Sequence, residues 1–382
     1  MKKLVYVVNV DWFFLSHRLP IALAAQKQGF EIHIATSLTT RLPELLQYGF
    51  TVHQLKLDRS SVGPIAAIKT LFSIWTVFKS TKPDLVHLVT IKPVLLGGIA
   101  ARMAGVPSVV AAISGLGFVF VAQGVISNFW RMLVALAYRL ALGHRNLKVI
   151  FQNDDDKSRL TRIAGLPETK ATMIRGSGVD LSQYAPNPIN YNQRIVLFAA
   201  RLLLDKGVGE FVEAARILRS RNCDKPNTVR FVLVGEPDIA NPTSVTAAQL
   251  KAWVEEGAVE NWGHRSNMPE VLSAASIVTL PSYYGEGLPK VLIEAAACGR
   301  AVVTTDHPGC RDAIEPGVSG LLVPVRDAKA LANAIQDLLD HPDKCASMGL
   351  SGRKLAEQVF DISKVVEAHL RIYEELIAKA AR

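Results

Sequence analysis

Two glutamates are the residues whose chemistry most needs an explanation. Glu286 and Glu294 lie in the stretch PSYYGEGLPKVLIEAAACGRAVVTTD. The predicted helix Pro289–Cys298 is apolar on every side of Glu294, which indicates a buried helix. An unpaired buried charge is costly, so this carboxylate needs a partner. That partner is either Lys290, one helical turn earlier, or a pair of hydroxyl groups on a ligand.

Glu286 is predicted to lie exposed in a loop between two glycines, Gly285 and Gly287. Glycines let a backbone approach a ligand closely. The amides of Gly287 and Leu288 are expected near the positive N-terminal end of the following helix, where oxygen-rich groups bind. The chemistry therefore favours a binding site over a pair of ordinary solvated charges.

A second group of polar residues lies in AARLLLDKGVGEF. Arg201 ends a predicted strand, Lys206 directly precedes the next helix, and Asp205 is placed to cap that helix. Two cations beside a helix N-terminus suit a diphosphate. The alternative is that Lys206 is a solvated loop lysine. This alternative is less favoured because Glu286 lies in the same half of the chain.

The elements that position these residues alternate between short β-branched strands and helices along all 382 residues. Strand runs that are apolar on both faces indicate parallel sheets covered on both sides. The sequence thus predicts two doubly wound α/β domains, with a Pro- and Asn-rich linker from Tyr184 to Gln193. In such domains ligands bind beyond the carboxyl ends of the strands. His17, Arg18 and Lys92 follow first-domain strands, although such residues are more often structural or solvated.

Charge is unevenly distributed between the halves of the chain. Residues 1–190 carry 21 Lys and Arg against 10 Asp and Glu, a net +11, whereas residues 191–382 carry 22 against 24, a net −2. A basic first half suits nucleic acid, anionic lipid or a phosphorylated substrate, and a solvated surface without a partner is an equal alternative. The segment Ile126–Arg145 is either a core helix or an interfacial helix against anionic lipid.

Other features narrow the class of protein. The four cysteines show no CxxC or metal spacing, which indicates structural thiols in a reducing compartment. The apolar N-terminus is broken by Asn9 and Asp11, so it is interpreted as a buried strand and not a signal peptide. No stretch has the length and freedom from charge of a clear transmembrane helix. The triplet Asp154–Asp156 is explained by helix capping better than by a metal.

Taken together, these motifs resemble glycosyltransferase family 4, retaining enzymes of the two-domain GT-B fold. Glu286 and Glu294, with seven residues between them, resemble the family signature. AARLLLDKG resembles its Arg…Lys-Gly segment. NWGHRSNMPEVLSAASIVTLPS resembles the segment whose backbone faces the nucleobase, here near Trp262 to Arg265, which includes the donor-binding candidates Gly263 and Arg265. The resemblance covers nearly the whole chain.

The resemblance implies a role for each donor-side residue. Glu286 would hold hydroxyls of the donor sugar, and Glu294 those of the ribose. Arg201 and Lys206 would stabilise the departing diphosphate, so no essential metal is expected. Same-face attack, with the leaving phosphate taking the acceptor proton, is preferred to a covalent intermediate on Glu286.

DWFFLSHRLPIALA, DLVHLVTIKPVLLGGIAARMAGVP and ISGLGFVF further resemble bacterial enzymes that extend undecaprenyl-diphosphate-linked sugars for surface polysaccharides, O-antigens or protein glycans. This implies a UDP-sugar donor whose sugar is an N-acetylhexosamine, and an acceptor bound near His17, Arg18 and Lys92. It also implies a cytoplasmic enzyme, peripheral at the anionic inner membrane face. The implied domains are 1–185 for the acceptor, 186–362 for the donor, and 363–382 as a helix packed back on the first domain.

The sequence also departs from the family in identifiable places. DWFFLSHRLP replaces a glycine pair near the donor phosphates, and Asp312 stands where glutamate is commoner. The first-domain histidine that contacts the donor sugar has only His17 and His87 as candidates. An NDP-sugar epimerase and a non-catalytic nucleotide-sugar-binding subunit are the rival functions. A nucleic-acid binder is the third, and it lacks a recognition motif.

Overall fold

The chain folds into two compact units. The computed structural model describes residues 1–55, 63–115, 128–188, 194–221, 229–239 and 241–382. Residues 116–118 of the SGLGF segment, residues 189–193 of the predicted linker, and Cys223 lie outside these ranges. One unit comprises Met1–Ser177 with Ile362–Arg382, and the other comprises Gly178–Asp361. The domain division implied by the sequence, with its first boundary at residue 185, stays a prediction.

A parallel sheet of seven strands forms the centre of the first unit, in the order β3-β2-β1-β4-β5-β6-β7. Its strands are β1 (Lys2–Val10), β2 (Phe30–Ser37), β3 (Thr51–Gln54), β4 (Leu85–Val89), β5 (Ser108–Ile113), β6 (Leu147–Phe151) and β7 (Ala171–Met173). The strand order reverses between β1 and β4, which makes the carboxyl ends of these two strands the topological switch point.

Helices cover the two faces of this sheet. They are α1 (Asp11–His17), α2 (Leu19–Lys27), α3 (Leu42–Gln47), α4 (Pro64–Thr81), α5 (Gly98–Ala104), α6 (Asn128–Leu142) and α7 (Asp154–Ala164). The stretch DWFFLSHRLP forms α1 and the start of α2. The helix predicted over Ile126–Arg145 is α6 in the structure and ends at Leu142, while residues 126 and 127 lie outside the described ranges.

The second unit repeats the plan with six parallel strands in the order β10-β9-β8-β11-β12-β13. The strands are β8 (Arg194–Ala199), β9 (Val229–Val234), β10 (Glu260–Asn261), β11 (Ile277–Leu280), β12 (Ala301–Thr305) and β13 (Gly320–Val323). The helices are α8 (Val208–Arg221), α9 (Ala247–Glu255), α10 (Met268–Ala274), α11 (Lys290–Ala297), α12 (Ala328–Asp340) and α13 (Pro342–Leu355). The order reverses between β8 and β11, and the two sheets confirm the predicted α/β class.

The last helix, α14 (Ile362–Ala380), belongs to the first unit. Tyr373 of α14 is fully buried, and its hydroxyl lies 3.1 Å from the Tyr6 hydroxyl and 2.6 Å from His87 Nδ1. The Asn146 amide donates to the Leu376 carbonyl of α14 at 2.8 Å. The helix is thus joined to the sheet by buried polar contacts as well as by apolar packing.

Candidate active site

Two strand-to-helix loops of the second unit touch at its topological switch point. Gly207 follows β8 with φ +81°, and a Cβ placed there would lie 2.2 Å from the carbonyl oxygen of Pro281, which follows β11. Only glycine combines this conformation with so close an approach. The Tyr283 amide donates to the Asp205 carbonyl at 3.0 Å. The loop of Lys206 and the loop of Glu286 are therefore fixed against each other.

Lys206 and Glu286 form a salt bridge across these two loops. Each side chain is only 12% exposed, so the prediction that Glu286 lies exposed is wrong: the ion pair and its packing bury it. Ser282 Oγ lies 3.2 Å from Glu286 Oε1, and the Lys206 ammonium lies 5.1 Å from the Tyr284 ring centroid. The pair is a compact, largely desolvated cation and carboxylate at the edge of the sheet.

The backbone of the Glu286 loop packs closely against Gly309. This glycine has φ +83°, and a Cβ there would lie 2.6 Å from the Gly287 carbonyl oxygen and 2.7 Å from that of Glu286. The Gly309 amide donates to Asp312 Oδ2 at 2.9 Å, so Asp312 orients the supporting turn. Gly287 and Leu288 are buried and precede α11, which begins at Lys290, one residue later than predicted.

Glu294 lies buried in the middle of α11 and has two protein partners. The Tyr184 hydroxyl donates to its Oε1 at 2.8 Å, and Lys290 Nζ lies 3.4 Å from the same oxygen. Burial raises the pKa of Glu294, while the charge of Lys290 and the hydrogen bond from Tyr184 act in the opposite direction. The partner Lys290 that the sequence offered is present, and Tyr184 is an additional one.

Arg201 and Asp205 complete the polar groups on the β8 side. Arg201 Nη1 donates to Asp238 Oδ2 at 2.7 Å, which joins the loops after β8 and β9. Asp205 was predicted to cap a helix, but it lies buried inside the single 3-10 turn Leu204–Lys206. The tight turn arises because the loop must bring Gly207 against Pro281.

Gly263 and Arg265 lie at the end of the neighbouring strand β10. The Gly263 carbonyl accepts a hydrogen bond from the Gly235 amide at 2.9 Å, which ties this segment to the carboxyl end of β9. Gly263 has φ +66°, and Arg265 is exposed. The predicted donor residues thus follow the strands β8, β10 and β11, which lie in one sheet.

The candidate acceptor-binding residues of the first unit, His17, Arg18 and Lys92, differ in how deeply they are buried. His17 ends α1 after β1, where its ring stacks on Phe13 at a centroid distance of 4.0 Å. Lys92 follows β4, the neighbour of β1, and is partly buried. Arg18 is 2% exposed and sits in the interior between the sheet and α14. His17 and Lys92 therefore share a sheet edge, and Arg18 lies beneath it.

His87 is not a surface candidate in the structure. It is fully buried in β4, and its Nδ1 lies 2.6 Å from the Tyr373 hydroxyl. Burial, with the nearby charges of Arg18 and His369, holds the pKa of His87 well below its ordinary value. This leaves His17 as the histidine at the strand ends.

The described residues contain neither a metal-binding cluster nor a membrane-spanning helix. Outside the gaps in the ranges given above, no cluster of three or more His, Cys, Asp or Glu side chains is arranged to hold a metal ion. In the same parts of the chain, no helix is long and apolar enough to cross a membrane. The acidic triplet Asp154–Asp156 forms the first turn of α7, where Asn153 Oδ1 accepts the Asp156 amide at 2.7 Å.

Sequence reasoning missed three residues that touch the predicted ones: Tyr184, Asp238 and Ser282. Tyr184 contacts a residue 110 positions away, and Asp238 contacts one 37 positions away. Hydrophobic periodicity reports only local structure, so such pairs leave no trace in it. The one available signal was that Tyr184 is an aromatic residue in an otherwise polar segment.

Comparisons with known proteins agree with these motifs. Residues 193–341 match the family model described as "Glycosyl transferases group 1", and residues 3–153 match "Glycosyl transferase 4-like". The chain is 30% identical over 385 aligned positions, 95% of this chain and 98% of the relative, to an N,N'-diacetylbacillosaminyl-diphospho-undecaprenol alpha-1,3-N-acetylgalactosaminyltransferase of Campylobacter jejuni. It is 25% identical, over 83% of this chain and 82% of the relative, to a UDP-Gal:alpha-D-GlcNAc-diphosphoundecaprenol alpha-1,3-galactosyltransferase of Escherichia coli.

A solved structure supports the fold. Anabaena Alr3699/HepE in complex with UDP aligns with a TM-score of 0.75 at 20% identity, covering 98% of this chain and all of that one. The near-complete alignment with the Campylobacter jejuni relative and the two matching family models agree with the pair of glutamates on the β11 loop and α11. The chain belongs to the group 1, family 4-like glycosyltransferases of the GT-B fold.

Proposed function

We propose that the protein transfers a sugar, an N-acetylhexosamine, from a UDP-sugar to an undecaprenyl-diphosphate-linked saccharide, with retention at the anomeric carbon. The product would enter surface polysaccharide, O-antigen or glycan biosynthesis. The observation that carries this is the desolvated pair of Lys206 and Glu286 at the switch point of the second unit, with Glu294 on the adjoining helix. The names of the two relatives support the acceptor class, and the Escherichia coli name supports a UDP-linked donor.

In this proposal the second unit binds the donor. Glu294 accepts the ribose hydroxyls, because a buried ionised carboxylate accepts two hydroxyl groups well. Gly263 and Arg265 lie along the base, and the amides of Gly287 and Leu288 face the phosphates ahead of α11. Glu286, fixed by Lys206, accepts hydroxyls of the donor sugar.

Catalysis rests on preorganised charge. Arg201 and Lys206 stabilise the negative charge that grows on the departing diphosphate, an effect that is usually the largest single catalytic contribution. The leaving phosphate takes the acceptor proton on the face from which it departs, and the covalent route through Glu286 is less favoured because its carboxylate is held by Lys206. We propose that these two cations replace a divalent ion, so that EDTA leaves turnover unchanged.

The first unit would bind the acceptor at its own switch point. His17 and Lys92 follow the neighbouring strands β1 and β4, and Arg18 adds a positive charge beneath them. Among the described residues, Tyr6 and Tyr373, and no carboxylate, are the groups that act on the buried charge of Arg18, and such a guanidinium favours an approaching anion. The acceptor diphosphate supplies such a charge.

We also propose that the face formed by α4, α5 and α6 rests on the anionic inner surface of the membrane. Its exposed apolar side chains lie on helices that pack side by side. They are Ile65, Ile68 and Phe72 on α4, Met103 on α5, and Met132, Leu136 and Leu140 on α6. Lys69, Lys79, Arg102 and Arg139 are exposed among them, and no Asp or Glu occurs in these three helices. Apolar and basic side chains without acidic ones fit an anionic interface.

The test is a UDP-release assay with a panel of UDP-sugars, each with and without undecaprenyl-diphosphate-linked acceptors. Wild type is compared with Glu294→Ala and Lys206→Ala, and EDTA is added to a parallel set. We expect acceptor-dependent release by the wild type only, unaffected by EDTA. Analysis of the product's anomeric configuration then tests retention.

Other results would redirect the assignment. Conversion of a UDP-sugar without acceptor would indicate an epimerase, and UDP binding without transfer to any acceptor would indicate a binding subunit. If UDP does not bind, the UDP assignment fails, and GDP becomes the next nucleotide to test.

A further inference from the structure

The first residues of the second unit are held by hydrogen bonds to arginines that lie after α11 and on α13. We call residues 178–188 the strap. Arg353 of α13 donates from Nη1 to the Tyr184 carbonyl at 2.7 Å and to the Ala297 carbonyl at 2.8 Å. Arg300, which is fully buried, donates to the Asn187 carbonyl at 2.6 Å. Two guanidinium groups thus hold the strap against the end of α11.

This anchoring places one side chain on the glutamate of α11. The Tyr184 hydroxyl donates to Glu294 Oε1 at 2.8 Å, and Lys290 Nζ approaches the same oxygen at 3.4 Å. Of the residues that the structure describes, none donates to Oε2. The contacts of Tyr184 and Lys290 thus fall on one carboxylate oxygen of Glu294, Oε1.

We propose that Tyr184 is a positioning residue for the nucleotide: by holding Oε1 of Glu294, it fixes the carboxylate plane so that Oε2 receives ribose hydroxyls. This deepens the proposed function and rests on its assignment of Glu294 to the ribose. Tyr184 itself touches neither the diphosphate nor the sugar in this scheme.

The contact acts on two properties of Glu294. A hydrogen bond and an ion pair at one oxygen restrict rotation of the carboxylate, so less freedom is lost when a ligand binds. The hydrogen bond also favours the ionised form, which opposes the effect of burial on the pKa of Glu294. Both effects should strengthen nucleotide binding.

The charged and titratable groups near Glu294 are few. Lys290 and Cys298 lie on its own helix, and Tyr184 and Asp180 lie on the strap. Arg300 and Arg353 act on Cys298 from β12 and α13. Among the described residues, Lys290 and Tyr184 are the ones that act on the carboxylate itself, so loss of the Tyr184 hydroxyl should be visible in its titration.

The experiment is calorimetric titration of UDP into the full-length protein across pH 5 to 9, for wild type and Tyr184→Phe. Removal of the hydroxyl raises the pKa of Glu294 further, so affinity should begin to fall at a higher pH than in the wild type. At the acidic end of this range, we expect Tyr184→Phe to bind UDP about tenfold more weakly than the wild type. At the alkaline end, where the Glu294 carboxylate is ionised in both proteins, the two affinities should agree within about threefold.

Two further variants separate this role from simple loosening of the strap. Arg353→Lys weakens an anchor but keeps the Tyr184 hydroxyl, so it should lower the melting temperature without moving the pH midpoint of UDP affinity. Glu294→Gln removes the titrating group, so this variant should bind UDP weakly, with an affinity that does not change with pH at the acidic end. A pH-independent loss in Tyr184→Phe, matching Arg353→Lys, would overturn the positioning role.

The same data distinguish failure of the inference from failure of the proposed function. If Glu294→Gln weakens UDP binding but Tyr184→Phe coincides with wild type at every pH, the inference alone is wrong. If Glu294→Gln binds UDP like wild type, the ribose assignment fails, and the role of Tyr184 falls with it.

Discussion

The Lys206–Glu286 pair shows how a single contact joins stability to chemistry. Both side chains are 12% exposed, so each desolvated charge depends on the other. Removing one partner of a buried pair leaves an uncompensated charge, whereas removing both leaves none. The pair should therefore show strong energetic coupling.

A double-mutant cycle measures this coupling. Lys206→Met and Glu286→Gln should each lower the free energy of unfolding by about 3 kcal/mol, and the double variant should lose less than the sum by about 1–3 kcal/mol. Urea unfolding of the full chain provides these values. Additive losses would mean that the two charges are solvated independently.

Lys206 has a separate effect on turnover. With Lys206→Met at a temperature where it remains folded, kcat for UDP release should fall about 10²–10³-fold because a preorganised charge is lost. Lys251→Met, an exposed lysine on α9, is the matched control and should leave kcat unchanged. A fall limited to KM would contradict stabilisation of the departing diphosphate.

At the scale of the residue, the sequence revealed the unusual side chains but not their partners. Glu294 could be found because a carboxylate in an apolar helix is conspicuous. Its hydrogen bond to Tyr184 could not be found, because the two residues meet only through the tertiary fold. The exposure of Glu286 was misjudged for the same reason, since Lys206 comes from another loop.

At the scale of the element, the turn at Gly309 sets the position of the Glu286 loop. Gly309→Ala would push a Cβ against the carbonyl oxygens of Gly287 and Glu286, at 2.6 and 2.7 Å. We expect the loop to shift and activity to fall by about two orders of magnitude, since catalytic groups tolerate little displacement.

Gly317→Ala is the control for that change. Gly317 also has a left-handed backbone, with φ +76°, but no atom lies within 4 Å of its added Cβ. Both variants carry the backbone strain, and only Gly309→Ala carries the collision. Equal activities in the UDP-release assay would show that the Glu286 loop is not held by this turn.

The docking of α14 gives the first unit a pH dependence. Burial, followed by the charge of Arg18, lowers the pKa of His369 to about 3, so the folded protein keeps this ring neutral. The unfolded chain binds the proton below about pH 6.5. Stability should therefore fall with decreasing pH, by about 1.4 kcal/mol per pH unit for one such histidine.

In His369→Asn, the new amide can still donate to the Val365 carbonyl. The free energy of unfolding of this variant, measured with urea, should fall less steeply between about pH 6.5 and 5 than that of the wild type. His264→Asn changes an exposed histidine and should keep the slope of the wild type. Identical slopes in His369→Asn and the wild type would mean that His369 is not held neutral.

Long elements were predicted well and short ones poorly. The apolar runs located the nine-residue strand β1 and the fifteen-residue helix α6, because each extends over several repeats. The two-residue strand β10 and the seven-residue helix α1 were missed, since neither is long enough to show a period.

At the scale of the whole molecule, the structure shows which helices carry part of the excess positive charge of the first half. The basic first half includes α4, α5 and α6, whose exposed side chains include apolar and cationic ones. We expect the full chain to float with vesicles that contain phosphatidylglycerol and not with pure phosphatidylcholine vesicles, and high salt should weaken this binding.

Variants test the face itself. Ile65→Ser with Phe72→Ser removes two apolar side chains that are 70% and 51% exposed, and should weaken vesicle binding about tenfold. Leu350→Ser, on α13 of the second unit, changes a similarly exposed side chain and is the control. Equal binding by all three proteins would exclude this face from the membrane contact.

The division into two like domains could be predicted because the strand and helix alternation restarts in the second half. The segment Tyr184–Gln193 was interpreted as a linker, because its composition gives no sign that Arg300 and Arg353 hold Asn187 and Tyr184. The basic excess indicated a partner, but only the packing of the helices shows which side chains face outward.

The path of the chain has a consequence for its synthesis. The second unit is continuous from Gly178 to Asp361, whereas the first unit needs Ile362–Arg382 to be complete. On the ribosome, the residues around Tyr6 and His87 are made before the whole second unit, and Tyr373, which contacts them, is made after it. The first unit can therefore complete its packing only after the second unit has been translated.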